Sequence, residues 1–216
     1  MKLAFPPLYA IMDAVFAPSL RTSELSIAEM LAEARVELIQ YRNKQSSPRH
    51  LLEISRQWIP ALRVHGARFV VNDRADVAAV SGAEVVHVGQ EDLPVEAVRR
   101  MCGPKMLIGV STHTLEQVRA ADATSADYIA IGPLFATTTK EKADPVIGVE
   151  GVQMARAATR KPLVAIGGIT LGSAAEVYRA GADCIAVSRD LLTAEDPAAR
   201  AQHFLEIATQ VLSERE

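Results

Sequence analysis

The chain has 216 residues, 49% of them hydrophobic, 5% aromatic and 23% charged, with a formal net charge of −3. That is enough to bury one sizeable core and short for two domains. The charge gives no electrostatic reason for a nucleic acid or an anionic membrane as partner.

Along the chain, short β-branched and apolar runs alternate with longer stretches of helical spacing. The runs at 8–12, 36–42, 67–71, 85–87, 107–110, 128–132, 163–166 and 184–187 predict strands. Between them, 26–35, 48–64, 73–80, 95–101, 114–121, 149–159 and 173–180 predict helices, and a further helix begins near Asp190. Pro48, Pro94 and Thr114 mark helix starts, and Gly66, Gly82, Gly103 and Gly181 mark stops. Strands alternating with helices imply a parallel sheet, and eight units fit a closed (β/α)8 barrel with 1–216 as a single domain. An open doubly wound sheet is the second choice, but no GxGxxG follows the first strand. The long connection 133–148 suits a functional loop.

Several classes are disfavoured. Cys102 and Cys184 have neither CxxC nor Cys/His spacing, so no zinc site or disulfide framework is expected. No apolar run approaches the roughly 20 residues of a membrane span. The early prolines and Asp13 do not suit a signal peptide. A cytoplasmic enzyme or small-molecule binder is expected, and exposed helix faces would allow a homodimer.

In such a barrel, chemistry sits at the C-terminal strand ends. At the second, alternation puts Gln40, Arg42 and Lys44 on one side and Tyr41 and Asn43 on the other. An amide with two cations suits a diphosphate. The third strand leads into Asn72 and Asp73, and the fourth into Gln90, Glu91 and Asp92. Carboxylates on neighbouring strand ends suit Mg2+ completed by substrate phosphate, although either aspartate could cap a helix instead. Ser111 could bind a phosphate oxygen or cap a helix, and His113 is expected to be structural. His87 faces the barrel interior or the helix layer, whereas His50, His65 and His203 belong to the surface. Thr137, Thr138, Thr139 and Lys140 form a hydroxyl-rich loop suited to phosphate. Gly167, Gly168, Ser188 and Arg189 occupy the two strand ends where such barrels hold a phosphate.

The segments QYRNK, VNDRADVA, HVGQEDLP, IGVSTHTLEQV, DYIAIGPLFATTTK, PVIGVEG and VAIGGIT, in this order and spacing, resemble the thiamine-phosphate synthase family. The resemblance runs from about Tyr9 to Leu192. It implies that Gln40, Arg42, Lys44, Asn72, Ser111 and Lys140 bind hydroxymethylpyrimidine diphosphate, with Arg42, Ser111 and Lys140 as catalytic residues. It also implies that Asp73 and Asp92 hold Mg2+. Thr137 and Thr139 would meet thiazole phosphate, with Gly168, Ser188 and Arg189 at its phosphate. The family's reaction is dissociative, so no strong nucleophile or base is needed. Two positions depart from the pattern: Asn43 stands where an acidic residue is common, and Ser188-Arg189 replaces an aliphatic residue followed by Ser. Alternatives are a thiazole tautomerase of the same fold, which lacks the Arg/Lys pair and metal carboxylates, and a non-catalytic phosphate-metabolite binder.

Overall fold

The computed structural model describes residues 5–136 and 145–215. Eight parallel strands pair in sequence order and close into a barrel: β1 (Leu8–Asp13), β2 (Leu38–Arg42), β3 (Arg68–Asn72), β4 (Val85–Val88), β5 (Leu107–Thr112), β6 (Tyr128–Ile131), β7 (Leu163–Ile166) and β8 (Cys184–Val187). Pairing of β1 with β8, Leu8 beside Ile185, closes the sheet and excludes the open arrangement. Helices α1 (Glu24–Glu33), α2 (Pro48–Val64), α3 (Ala75–Ser81), α4 (Val95–Cys102), α5 (Leu115–Asp122), α6 (Gly148–Ala158) and α7 (Leu171–Arg179) alternate with the strands. The molecule is a single (β/α)8 barrel. Among the described residues no helix is long and apolar enough to cross a membrane.

The two-residue strand period sorts the apolar side chains into two packed groups. Tyr9, Leu38, Val70, Val85, Tyr128, Val164 and Cys184 fill the barrel interior. Ala10, Ile39, Tyr41, Phe69 and Val71 face outward, where Trp58 of α2 packs edge-on between Tyr41 and Phe69 at ring separations of 5.3 and 5.9 Å. Gly109 makes room inside: a Cβ there would fall 2.0 Å from Cζ of Tyr128. Helix starts follow local chemistry. Ser23, Ser47, Thr114 and Asp196 each accept a backbone N–H of the first turn. The glycines read as helix stops all have positive φ.

One element departs from the sequence reading. After β8 comes a single turn, α8 (Arg189–Leu192), and then a long helix, α9 (Pro197–Ser213), which the strand–helix count had not included. Asp196 caps it, Pro197 opens it, and Ala201, Phe204, Ala208 and Val211 are buried at spacings of three and four. It packs against α1, α7 and β1. The eighth helix of the outer layer is therefore α9, which leaves α8 as an extra turn at the barrel mouth.

The N-terminal end of the barrel is stapled by two similar arrangements. Arg99 of α4 donates to Asp127 Oδ2 at 2.6 Å and to the Ser125 carbonyl, while Asp127 also accepts the Ile108 N–H at 2.8 Å. Arg156 of α6 donates to Asp183 Oδ2 at 2.7 Å and to the Lys161 carbonyl, while Asp183 accepts the Leu163 N–H at 2.9 Å. Each aspartate precedes a strand and ties it to its neighbour.

Candidate active site at the barrel mouth

β2 places its side chains as its period requires. Gln40 is buried and its Nε2 donates to the Tyr9 hydroxyl at 2.6 Å. Asn43 turns away, towards the Tyr41 hydroxyl. Arg42 donates to Asp13 Oδ2, a partner that the strand-end reading had not named. Asp13 is buried at the end of β1, and its other oxygen accepts the Val15 N–H at 3.2 Å as it caps the 3-10 turn Ala14–Ser19. The carboxylate thus fixes the guanidinium from below. Lys44 is exposed on the turn beyond β2.

β3 ends at Asn72, which lies beside His87 of β4. Asp73 then adopts φ +63°, unusual for a side-chain-bearing residue, and the Arg74 N–H donates to the Asn72 carbonyl at 2.7 Å across it. The Asp73 N–H itself donates to the His87 carbonyl at 2.8 Å. Neither suspected aspartate caps a helix. The residues at the starts of α3 and α4 are Arg74 and Pro94, without side-chain capping bonds. Asp92 instead accepts the Gly89 N–H at 2.7 Å, holding its own loop.

Burial pushes the Asp73 carboxyl up to about 6, the adjacent Asp92 charge and hydrogen bond add to this, and Lys44 and Arg42 oppose it. Two carboxylates that disfavour one another's charge, opposed by two cations, form a site charged against itself. Mg2+ wants such oxygen donors and takes further ligands from water and phosphate. Among the described residues no cluster of three or more metal-ligating side chains exists, so this pair would hold a cation jointly with a substrate. The residues fit Mg2+ on those terms.

Ser111, near the end of β5, has its Oγ 2.8 Å from His87 Nε2, and its carbonyl accepts from Gln90 at 2.6 Å. The nearby threonine is structural: Thr112 donates to the Ala130 carbonyl at 2.8 Å. His113 Nδ1 lies 2.6 Å from the Gly132 carbonyl. His87 faces the interior, which resolves its two readings, and Nδ1 lies 3.0 Å from the Tyr128 hydroxyl.

Across the mouth, residues 133–136 run against the end of β7. The Leu134 and Phe135 N–H groups donate to the Ile166 and Gly167 carbonyls, and Ile147 and Gly148 return to the Pro133 and Leu134 carbonyls. Gly168, at φ +66°, permits this approach, since a Cβ there would lie 2.9 Å from the Ala136 carbonyl oxygen. Thr137, Thr139 and Lys140 lie outside the described residues. At the end of β8, the Ser188 Oγ is the buried side-chain polar atom that lacks a partner among the described residues. The Arg189 guanidinium lies over the Phe16 ring, 5.8 Å from its centroid, directed towards the β1–α1 connection.

Asp13 was within reach of sequence reasoning. It shares the inward parity of Tyr9 and Ile11 on β1, the same rule that selected Arg42 on β2. No local pattern marks Tyr9, Tyr128 and His87 as partners, because only barrel closure brings them together.

Comparison with known proteins agrees with this geometry. Residues 8–191 match the family model described as thiamine monophosphate synthase. A thiamine-phosphate synthase of Koribacter versatilis is 47% identical over 207 residues, covering 95% of this chain and 97% of that one. One from Chloroflexus aurantiacus is 42% identical over 91% of this chain and 90% of its own. Among solved structures, a thiamine phosphate pyrophosphorylase from Pyrococcus furiosus superposes with a TM-score of 0.85 at 33% identity, covering 95% and 96% of the two chains.

Proposed function

This chain belongs to the thiamine monophosphate synthase family and is a transferase; from that premise we propose that it joins hydroxymethylpyrimidine diphosphate to thiazole phosphate in a Mg2+-dependent reaction. The feature that carries the reading is that Asp73 and Asp92, just beyond the neighbouring strands β3 and β4, raise one another's charge cost, while Arg42, at the end of β2, and Lys44, beyond that strand, oppose it. Such a site is suited to a diphosphate and its cation.

The proposed chemistry is dissociative. The bond between the pyrimidine methylene and the diphosphate oxygen breaks, with its electron pair leaving on diphosphate. The electron-rich aminopyrimidine stabilises the methylene cation, and the thiazole nitrogen supplies the pair for the new C–N bond. Mg2+ when bound supplies charge neutralisation for the departing diphosphate. Arg42, fixed by Asp13, presents a rigid fork to the phosphate oxygens, and Lys44 adds a mobile ammonium. Gln40 and Asn72 orient the pyrimidine half, and Ser111 donates to a diphosphate oxygen. Lys140 joins the diphosphate side, and Thr137 and Thr139 the thiazole side, on the family resemblance alone. The Ser188 Oγ, which lacks a partner among the described residues, offers a donor to the thiazole phosphate. Positioning and electrostatics do the work, so the reaction needs no side-chain nucleophile.

The test is to mix the purified protein with both substrates, with and without Mg2+, and measure thiamine phosphate and diphosphate. Equimolar release of both products only with the metal is expected. Absence of thiamine phosphate under saturating substrates would refute the reading, and a protein that only isomerised a thiazole would release no diphosphate.

A further inference from the structure

Beneath the mouth, polar contacts cross the barrel interior from β2 to β5. Gln40 Nε2 donates to the Tyr9 hydroxyl at 2.6 Å, and the Tyr9 ring meets the Tyr128 ring edge-on at 6.4 Å, with the two hydroxyls interacting electrostatically. The Tyr128 hydroxyl lies 3.0 Å from His87 Nδ1, and His87 Nε2 lies 2.8 Å from Ser111 Oγ. The members come from β2, β1, β6, β4 and β5, and both tyrosines are fully enclosed. Burial pushes both tyrosine hydroxyls above their usual range, so each keeps a hydrogen to donate.

The chain has a direction. An amide nitrogen can only donate, so the Tyr9 oxygen accepts from Gln40 and its own hydrogen is left for Tyr128. Tyr128, having accepted, donates to His87 Nδ1. A bare Nδ1 places the imidazole proton on Nε2, which then donates to Ser111 Oγ. Ser111 has accepted from below, so its own hydrogen is left for the mouth. We infer that this relay fixes Ser111 as a donor to the leaving diphosphate, with Tyr9, Tyr128 and His87 as positioning residues that link it to Gln40.

Gln40 and Ser111 would thereby be set by one device, with the pyrimidine end and the leaving-group end oriented together. A reversed amide at Gln40 would run the chain backwards, put the histidine proton on Nδ1 and turn the Ser111 hydrogen inward. The identity of the leaving group rests on the proposed function; the direction of the chain does not.

Nitrogen-15 NMR of histidine-labelled, substrate-free protein reads that direction. The His87 signals are assigned by their loss in His87→Gln. A proton on Nε2 with a bare Nδ1 is expected, while a proton on Nδ1, or on both nitrogens, overturns the relay. Tyr128→Phe should then relax the single tautomer and lower kcat/KM for the pyrimidine diphosphate by about ten- to a hundredfold. The KM for thiazole phosphate should stay within about twofold, because the relay ends at Gln40 and Ser111, the groups proposed for the pyrimidine diphosphate. An unchanged kcat/KM, or an equal loss for both substrates, counts against the positioning role. If the wild-type protein makes no thiamine phosphate, the proposed function fails, and the His87 tautomer still decides the relay.

Discussion

The two ends of this barrel handle charge in opposite ways. At the N-terminal end, Arg99 and Arg156 each meet a carboxylate, and those carboxylates also accept strand N–H groups. At the mouth, Asp73 and Asp92 repel one another's charge, Asp73 has an unfavourable backbone angle, Lys44 is exposed and the Ser188 hydroxyl lacks a partner among the described residues. One end satisfies its polar groups within the fold, and the other keeps several of its own within reach of ligands. The division separates stability from function within a single sheet.

Substitutions at the two ends should therefore have opposite signatures. The largest effect is expected from Asp92→Ala: Mg2+-dependent turnover should fall by about a thousandfold, the range for losing a principal source of transition-state charge stabilisation. Its thermal midpoint should move little, because loss of the Gly89 hydrogen bond is offset by relief of the charge beside Asp73. Equal loss of turnover and of thiazole phosphate binding would undo the metal assignment.

At the other end, Arg156→Ala should cost about 2 kcal/mol, since it removes the charge-assisted bond to Asp183 and those to the Thr159 and Lys161 carbonyls in a partly screened setting. For a chain of this size that lowers the melting midpoint by roughly 4–8 °C. Activity per folded molecule should be preserved. A catalytic defect without a stability defect would erase the contrast.

Ser188→Ala should raise the KM for thiazole phosphate by about fivefold, the worth of one hydrogen bond, and leave stability unchanged or slightly higher. Steady-state kinetics with each substrate varied in turn would read this. A change confined to the pyrimidine diphosphate would move Ser188 to the other half of the site.

The smallest effect concerns pH. In metal-free protein the Asp73 carboxyl is raised to about 6 from its usual 3.8. The folded state then holds that proton more tightly than the unfolded chain. Its contribution favours folding as pH falls from 7 towards 4 and is lost as pH rises through 6. Asp73→Asn should flatten that slope and stabilise the protein at pH 7.5 by about 1 kcal/mol, discounted for partial exposure. Denaturant melts at several pH values would show it, and a destabilised Asp73→Asn protein would refute like-charge strain.

Much of this organisation was legible before folding. The inward parity of Gln40 and Arg42 and the polar strand ends at Asp73, Asp92 and Ser111 follow from period-two alternation and the usual use of a barrel mouth. Sequence periodicity is local, however, and each missed feature depends on something non-local. The anchoring of Arg42 needs β1 beside β2, which brings Asp13 into range. The Tyr9–Tyr128–His87 chain needs three strands closed around a common axis, with Gly109 leaving space for the Tyr128 ring. Helix α9 was missed although Phe204, Ala208 and Val211 carry a helical pattern. Counting eight strand–helix units assigned the last helix to the turn after Ser188. α9 shows that this turn is an addition at the mouth.

The seam between β1 and β8 has a consequence for how the chain comes off the ribosome. Leu8 and Ile185 are neighbours in the sheet although almost the whole sequence separates them. The β8-facing edge of β1 therefore lacks its native partner until the last strand has been made. Helix α9, which packs over β1 and against α1 and α7, arrives later still. Contacts of such long range slow folding, and an open strand edge invites mispairing in the interval. The part of the barrel that is made last is the part that seals its first strand.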